Sequence, residues 1–148
     1  MKEPVLTLPT GDKDYFAFRI LYLPTWGRPE VLRVERRSGI AMRRAVILSG
    51  DGGYDPGEIK AEQRADVTKS EFAALLEGLR KSGFWELPLK DDVIGTDGSQ
   101  LIVEVVQAGR HAVLVRWTPE ADTAKRGLSA LVAFYMRLFH ETGLWEKK

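Results

Sequence analysis

Ile59-Lys60-Ala61-Glu62-Gln63-Arg64-Ala65-Asp66-Val67-Thr68-Lys69-Ser70-Glu71-Phe72-Ala73-Ala74-Leu75-Leu76-Glu77-Gly78-Leu79 changes its period at the middle. As far as Val67, the residues Ile59, Ala61, Gln63, Ala65 and Val67 alternate with Lys60, Glu62, Arg64 and Asp66. A period of two with one charged side predicts an antiparallel strand packed on one face only. After Thr68 the apolar positions fall at Phe72, Leu75, Leu76 and Leu79, the i, i+3, i+4, i+7 spacing of an amphipathic helix. Thr68 and Glu71 have the spacing of a capping box, so the helix starts there. Arg80 and Lys81 suit its negative end, Gly83 its C′ position, and Pro88 forbids continuation.

Upstream the pattern is extended. Tyr15 to Leu23 puts Phe16, Phe18, Ile20 and Tyr22 on one side and Ala17, Arg19 and Leu21 on the other, the pattern of a central strand. The turn Pro24-Thr25-Trp26-Gly27-Arg28-Pro29 leads to a second strand over 31–37, and Ser38-Gly39 to a third over 40–48. The cluster from Ser49 to Gly57 joins this third strand to the strand quoted above. Downstream, 89–99 reads as a loop. Leu101 to Val106 and Ala112 to Trp117 form a hairpin apolar on much of both faces, which suits the sheet centre. A last helix is expected after Thr118-Pro119-Glu120, with Asp122 as a rival cap, and Gly143 ends it. The class this order implies is α+β: an antiparallel, hairpin-built sheet with two amphipathic helices packed on one face. Residues 1–14 read as an irregular arm and 15–148 as one domain.

The 148 residues suffice for one core that buries roughly 70% of the unfolded surface, so folding needs no staple and no cofactor is implied. The chain has no cysteine, which removes disulfides, thiolate nucleophiles and cysteine-type metal sites. A net charge of +1 gives no global attraction to nucleic acid or anionic membrane, and no apolar run approaches the ~20 residues of a membrane helix. Glu3, Pro4 and Pro9 stand where a signal peptide would be apolar. As written, the chain suits the cytoplasm, or the periplasm or envelope if a leader has been removed.

The run from Asp66 to Leu76, continued by Gly83-Phe84-Trp85-Glu86-Leu87-Pro88, resembles a segment of uncharacterised bacterial domains of envelope or lipoprotein-like character. In those domains such a helix follows a hairpin-rich half and precedes a second hairpin and a final helix. The resemblance implies that order of elements and no known activity, and it carries over no functional residue.

Three constellations remain as sites. Between Arg28 and Arg44 six arginines face Glu30 and Glu35, while 51–66 carries five acids against Lys60 and Arg64. Cross-strand ion pairs account for both. The sharper reading is a ligand-binding face of Arg33, Arg36, Arg37, Arg43 and Arg44, with Trp26 and Tyr22 nearby to stack on phosphate-bearing or acidic partners. Asp91, Asp92 and Asp97 are oxygen ligands on one loop and the candidate metal site, with His111 available for acid–base work. No Gly-x-Ser-x-Gly elbow or His-Glu-x-x-His pattern occurs, and no catalytic residue is assigned. A non-enzymatic binding module for a protein or small ligand is therefore the leading expectation, the chain being a monomer or homodimer. A small metal-dependent enzyme using 91–97, and a phosphate or nucleic-acid binder using the arginines, are the alternatives.

Overall fold

The computed structural model describes residue 6 and residues 11–52 and 54–144. Most of the 1–14 arm and Trp145 therefore lie outside the described residues. The elements are β1 (Phe16–Pro24), β2 (Glu30–Arg37), β3 (Ile40–Leu48), β4 (Ile59–Val67), α1 (Lys69–Lys81), β5 (Ser99–Gln107), β6 (Arg110–Trp117) and α2 (Ser129–Glu141). All six strands share one antiparallel sheet in the order β4-β3-β2-β1-β5-β6. The first four strands form a meander. The chain then crosses through α1 and lays β5 on the free side of β1, which makes β1 central.

This architecture corrects the α+β class. With 40% strand against 19% helix, the fold is a six-stranded open antiparallel sheet carrying only two helices. Part of the reason lies in residues 118–127, which are turns, so the last helix starts only at Ser129. Both expected caps, Thr118 and Asp122, have positive φ (39° and 52°), far from the extended conformation of an N-cap residue. Arg126 fixes the turns by donating from Nη1 to the carbonyls of Thr118 (2.7 Å) and Ala121 (3.2 Å). The β5–β6 hairpin is also not wholly central, since β6 is an edge.

One face of the sheet carries the core. Phe16, Phe18, Ile20, Leu32, Val34, Ala45, Leu101, Val103, Val105 and Leu114 meet Phe72, Leu75 and Leu79 of α1 and Leu131, Phe134, Tyr135 and Leu138 of α2. Helix α1 begins at the capping box: Thr68 Oγ1 accepts from the Glu71 amide (3.2 Å) and Glu71 Oε2 from the Thr68 amide (2.7 Å). On the opposite face Val31, Val46 and Leu48 form a small buried cluster, and Leu6 packs with Tyr15, Ala17 and Val106. Among the described residues no helix is long and apolar enough to cross a membrane.

Candidate functional site

The two loops at one end of the sheet build a concavity of about 440 Å³ lined by Trp26, Gly50, Asp51, Tyr54 and Asp55. Trp26 comes from the β1–β2 turn. The other four come from the β3–β4 loop, which closes on itself. Ser49 N donates to the Glu58 carbonyl (2.9 Å), the Tyr54 and Asp55 amides to the Asp51 carbonyl (3.1 and 3.2 Å), and the Gly57 amide to Asp55 Oδ1 (3.0 Å). The loop is fastened to the neighbouring turn by Gly52 N, which donates to the Gly27 carbonyl (3.1 Å). The approach is so close that a Cβ on Gly52 would lie 2.2 Å from the Pro24 carbonyl oxygen. Thr25, itself buried, ties the same turn to the start of β5: its amide donates to the Gly98 carbonyl (2.7 Å) and its Oγ1 accepts from the Gly98 amide (3.1 Å).

On this hydrogen-bonded base Trp26 and Tyr54 stand out, 70% and 75% exposed, with ring centroids 6.5 Å apart and planes tilted by 36°. Two exposed π faces and two carboxylates in one concavity attract a cation from both sources, ring quadrupole and formal charge. Of this site the sequence singles out only Trp26. Tyr54, Asp51 and Asp55 read as part of a hairpin loop, although a tyrosine among Gly, Asp and Pro residues has no alternating partner to bury it, which is the signal the sequence offers.

The arginines divide between the two faces. Arg64, Arg44, Arg33 and Arg19 stand directly opposite one another on β4, β3, β2 and β1, and Glu104 of β5 completes the row. Acids close this row into pairs: Arg44 Nε and Arg64 Nε on Glu62 (2.8 and 2.7 Å), Arg33 Nη2 and Arg37 Nε on Glu35 (2.6 and 2.5 Å), and Arg19 on Glu104, which also meets His111 Nε2 at 2.8 Å. Partial burial opposes ionisation of Glu35, but the hydrogen bonds from Arg37 and Arg33 outweigh it and hold the carboxyl below its ordinary range. Hydrogen bonds from Arg44 and Arg64 do the same for Glu62. Arg36 and Arg43 lie on the helix-bearing face. Arg36 sits 4.3 Å over the Phe72 ring, and Arg43 lines a groove with Glu71, Arg137 and Glu141. The six candidate ligand-binding residues are therefore not one surface.

The acidic loop is also dispersed. Asp91 Oδ2 accepts from Arg126 Nη2 (2.7 Å) and faces Arg116 Nε at 3.6 Å, while Asp92 and Asp97 are exposed. Among the described residues no three His, Cys, Asp or Glu side chains gather as a metal site. Arg116 is 2% exposed and also donates to the Pro88 carbonyl. Asp91 thus fastens the 89–98 loop to the β6 end of the sheet. A last polar group lies inward of the loops: Ser99 Oγ donates to Glu120 Oε2 (3.0 Å), the Tyr135 hydroxyl to Glu120 Oε1, and Tyr22 stacks on Tyr135 at 6.1 Å. Burial and the Glu120 charge push the Tyr22 phenol up to about 12 and raise that of Tyr135 further still. Ser99 is 4% exposed, which withdraws its hydroxyl from attack on any substrate.

No protein-family model matches the chain, and no curated protein matches it.

Proposed function

We propose that the protein is a non-enzymatic binding module that receives an arginine or lysine side chain of a partner polypeptide in the concavity between Trp26 and Tyr54. The observation that carries this reading is the exposed, tilted aromatic pair on a hydrogen-bonded loop, with Asp51 and Asp55 lining the same space. A cation over an exposed ring gains about 0.5–1 kcal/mol, and more when it is desolvated. Two carboxylates add charge and hydrogen-bond acceptors. A catalytic role for the acidic loop has less support, because Asp91 is occupied by Arg126 and Arg116. A phosphate-binding role for the arginines has less support as well, because Glu35, Glu62 and Glu104 engage the arginines of the row in ion pairs.

The test is titration of the purified protein with a hexa-arginine peptide, followed by tryptophan fluorescence and calorimetry. Binding should weaken at least about tenfold in Trp26→Ala and in Tyr54→Ala, and should fall with salt. Asp51→Asn with Asp55→Asn should weaken it as well. Absence of binding, or binding unaffected by Trp26→Ala, would overturn the proposal. Binding of a neutral oligosaccharide in place of the peptide would overturn the assignment of a cationic ligand.

A further inference from the structure

The sheet has two edges, and the chain treats them differently. At β6 the Val115 amide donates to the Leu89 carbonyl (2.9 Å), so the 88–91 segment covers part of that edge. Strand β4 pairs with β3 on one side and with no strand on the other among the described residues, although it is nine residues long and regularly alternating. Its outward backbone groups form an open row of donors and acceptors, the usual starting point for strand addition.

The charges on β4 decide what can be added. On its open face the order is Lys60, Glu62, Arg64, Asp66, with Gln63 at the middle of the strand. A second copy placed antiparallel, with a two-fold axis through Gln63, sets Lys60 opposite Asp66 and Glu62 opposite Arg64. The axis repeats both, giving four opposite-charge pairs. The other face then sets Ala61 against Ala65, and Ile59 meets Val67. Moving the axis to Glu62 places Glu62 on Glu62 and Lys60 on Arg64. An axis at Arg64 places Arg64 on Arg64 and Glu62 on Asp66. Like charges directly opposite destabilise a strand pair, so these registers are repelled. An axis at Ala61 or Ala65 avoids repulsion but leaves part of the strand unpaired. Charges on an edge strand ordinarily discourage pairing. Here they discourage only the wrong registers.

A second observation falls on the same axis. Gln63 Oε1 is out of solvent and has no hydrogen-bond partner within the chain. A buried acceptor left unpaired destabilises the fold, and the two-fold register brings the Gln63 amide of a second copy opposite it. Ala61 and Ala65 flank Gln63 with short side chains that leave the approach open, and Lys60, Arg64 and Asp66 are exposed.

We infer that β4 is a self-association edge: two copies pair antiparallel through Ile59–Val67 about Gln63 and extend the sheet to twelve strands. Every charged residue of that strand then faces its opposite.

Sedimentation velocity and equilibrium should be run from about 5 to about 200 µM, which brackets an association on the order of 10 µM for an interface this small. The expected result is a rise from 16.6 kDa to twice that mass. Lys60→Glu with Arg64→Glu makes the strand wholly acidic, Glu62→Lys with Asp66→Lys makes it wholly basic, and each variant alone should remain monomeric. Mixed in equal amounts, with native folding verified by circular dichroism, the two should form a dimer again. Single Lys60→Glu, at an exposed position outside the ion pairs described above, should weaken association at least about tenfold and serves if a double variant does not fold. A monomer across the whole range would overturn the inference. So would a dimer untouched by Lys60→Glu, or folded charge variants that fail to pair.

Discussion

Gly52 sets the distance between two loops by lacking one carbon. Its amide reaches the Gly27 carbonyl, and a Cβ would stand 2.2 Å from the Pro24 oxygen, a backbone atom that cannot swing aside. Gly52→Ala should therefore push the 49–58 loop away from the 24–29 turn and cost about 1–3 kcal/mol, the usual penalty of overpacking. The Trp26 emission should change in the native state, where Tyr54 no longer stands beside it. Unaltered emission with unaltered urea stability would contradict the geometry. Arg126 acts at the same scale through bonds gained rather than an atom missing: it donates to Asp91 and to the carbonyls of Trp117, Thr118 and Ala121. Arg126→Ala leaves partly buried carbonyls and a carboxylate short of a donor, and should cost about 1–3 kcal/mol. Limited proteolysis should then cut within 89–98 faster than in the native chain. The sequence displayed both of these residues but neither relation. Asp91 stands out as an acid among loop residues, yet the arginine that claims it lies 35 positions away and is joined to it only by the course of the chain.

At the scale of elements, legibility follows whether the decisive contacts are local. Helix α1 begins at the residue where the period changes, because its cap is made between Thr68 and Glu71, three positions apart. Thr68→Ala should remove the acceptor for the Glu71 amide and destabilise by about 1 kcal/mol, measured by urea unfolding, while Lys69→Ala on the exposed first turn should change little. Helix α2 offers no such signal. Its N-cap position is Leu128, which makes no side-chain cap and is buried in the core. The polar residues that looked like caps, Thr118 and Asp122, are held by positive φ and by Arg126 in turns ahead of the helix. Strand alternation was equally local and assigned the faces of β1 and β4 well. Strand order was not local: nothing in the wording of β5 and β6 says that β5 enters beside β1 while β6 stays outside.

At the scale of the molecule, these corrections change what the surface offers. Strand order divides the arginines of β2 and β3: Arg33, Arg37 and Arg44 are held by acids on one face, while Arg36 and Arg43 lie on the helix-bearing face, so the arginine-rich segment does not present one continuous surface. It also brings Tyr22 of β1, Ser99 of β5, Glu120 of the long turn and Tyr135 of α2 into one hydrogen-bonded group that joins the sheet to the helix layer. That group gives the fold a dependence on alkaline pH. In the folded chain burial and the Glu120 carboxylate hold the Tyr22 proton up to about 12, against an ordinary 10.0, whereas the unfolded chain releases it from about 10. A raised folded value means that the contribution is complete below pH 10 and is lost as pH rises from there through about 12, because only the unfolded state gains by ionising. The thermal midpoint should fall by several degrees between about pH 9 and about pH 11. Lysine deprotonation acts on any variant alike, so the informative comparison is Tyr22→Phe, which keeps the ring on Tyr135 and removes the titrating group. Its midpoint should fall less over the same range. Equal slopes would mean that Tyr22 loses its proton as readily folded as unfolded, and that Glu120 does not hold it.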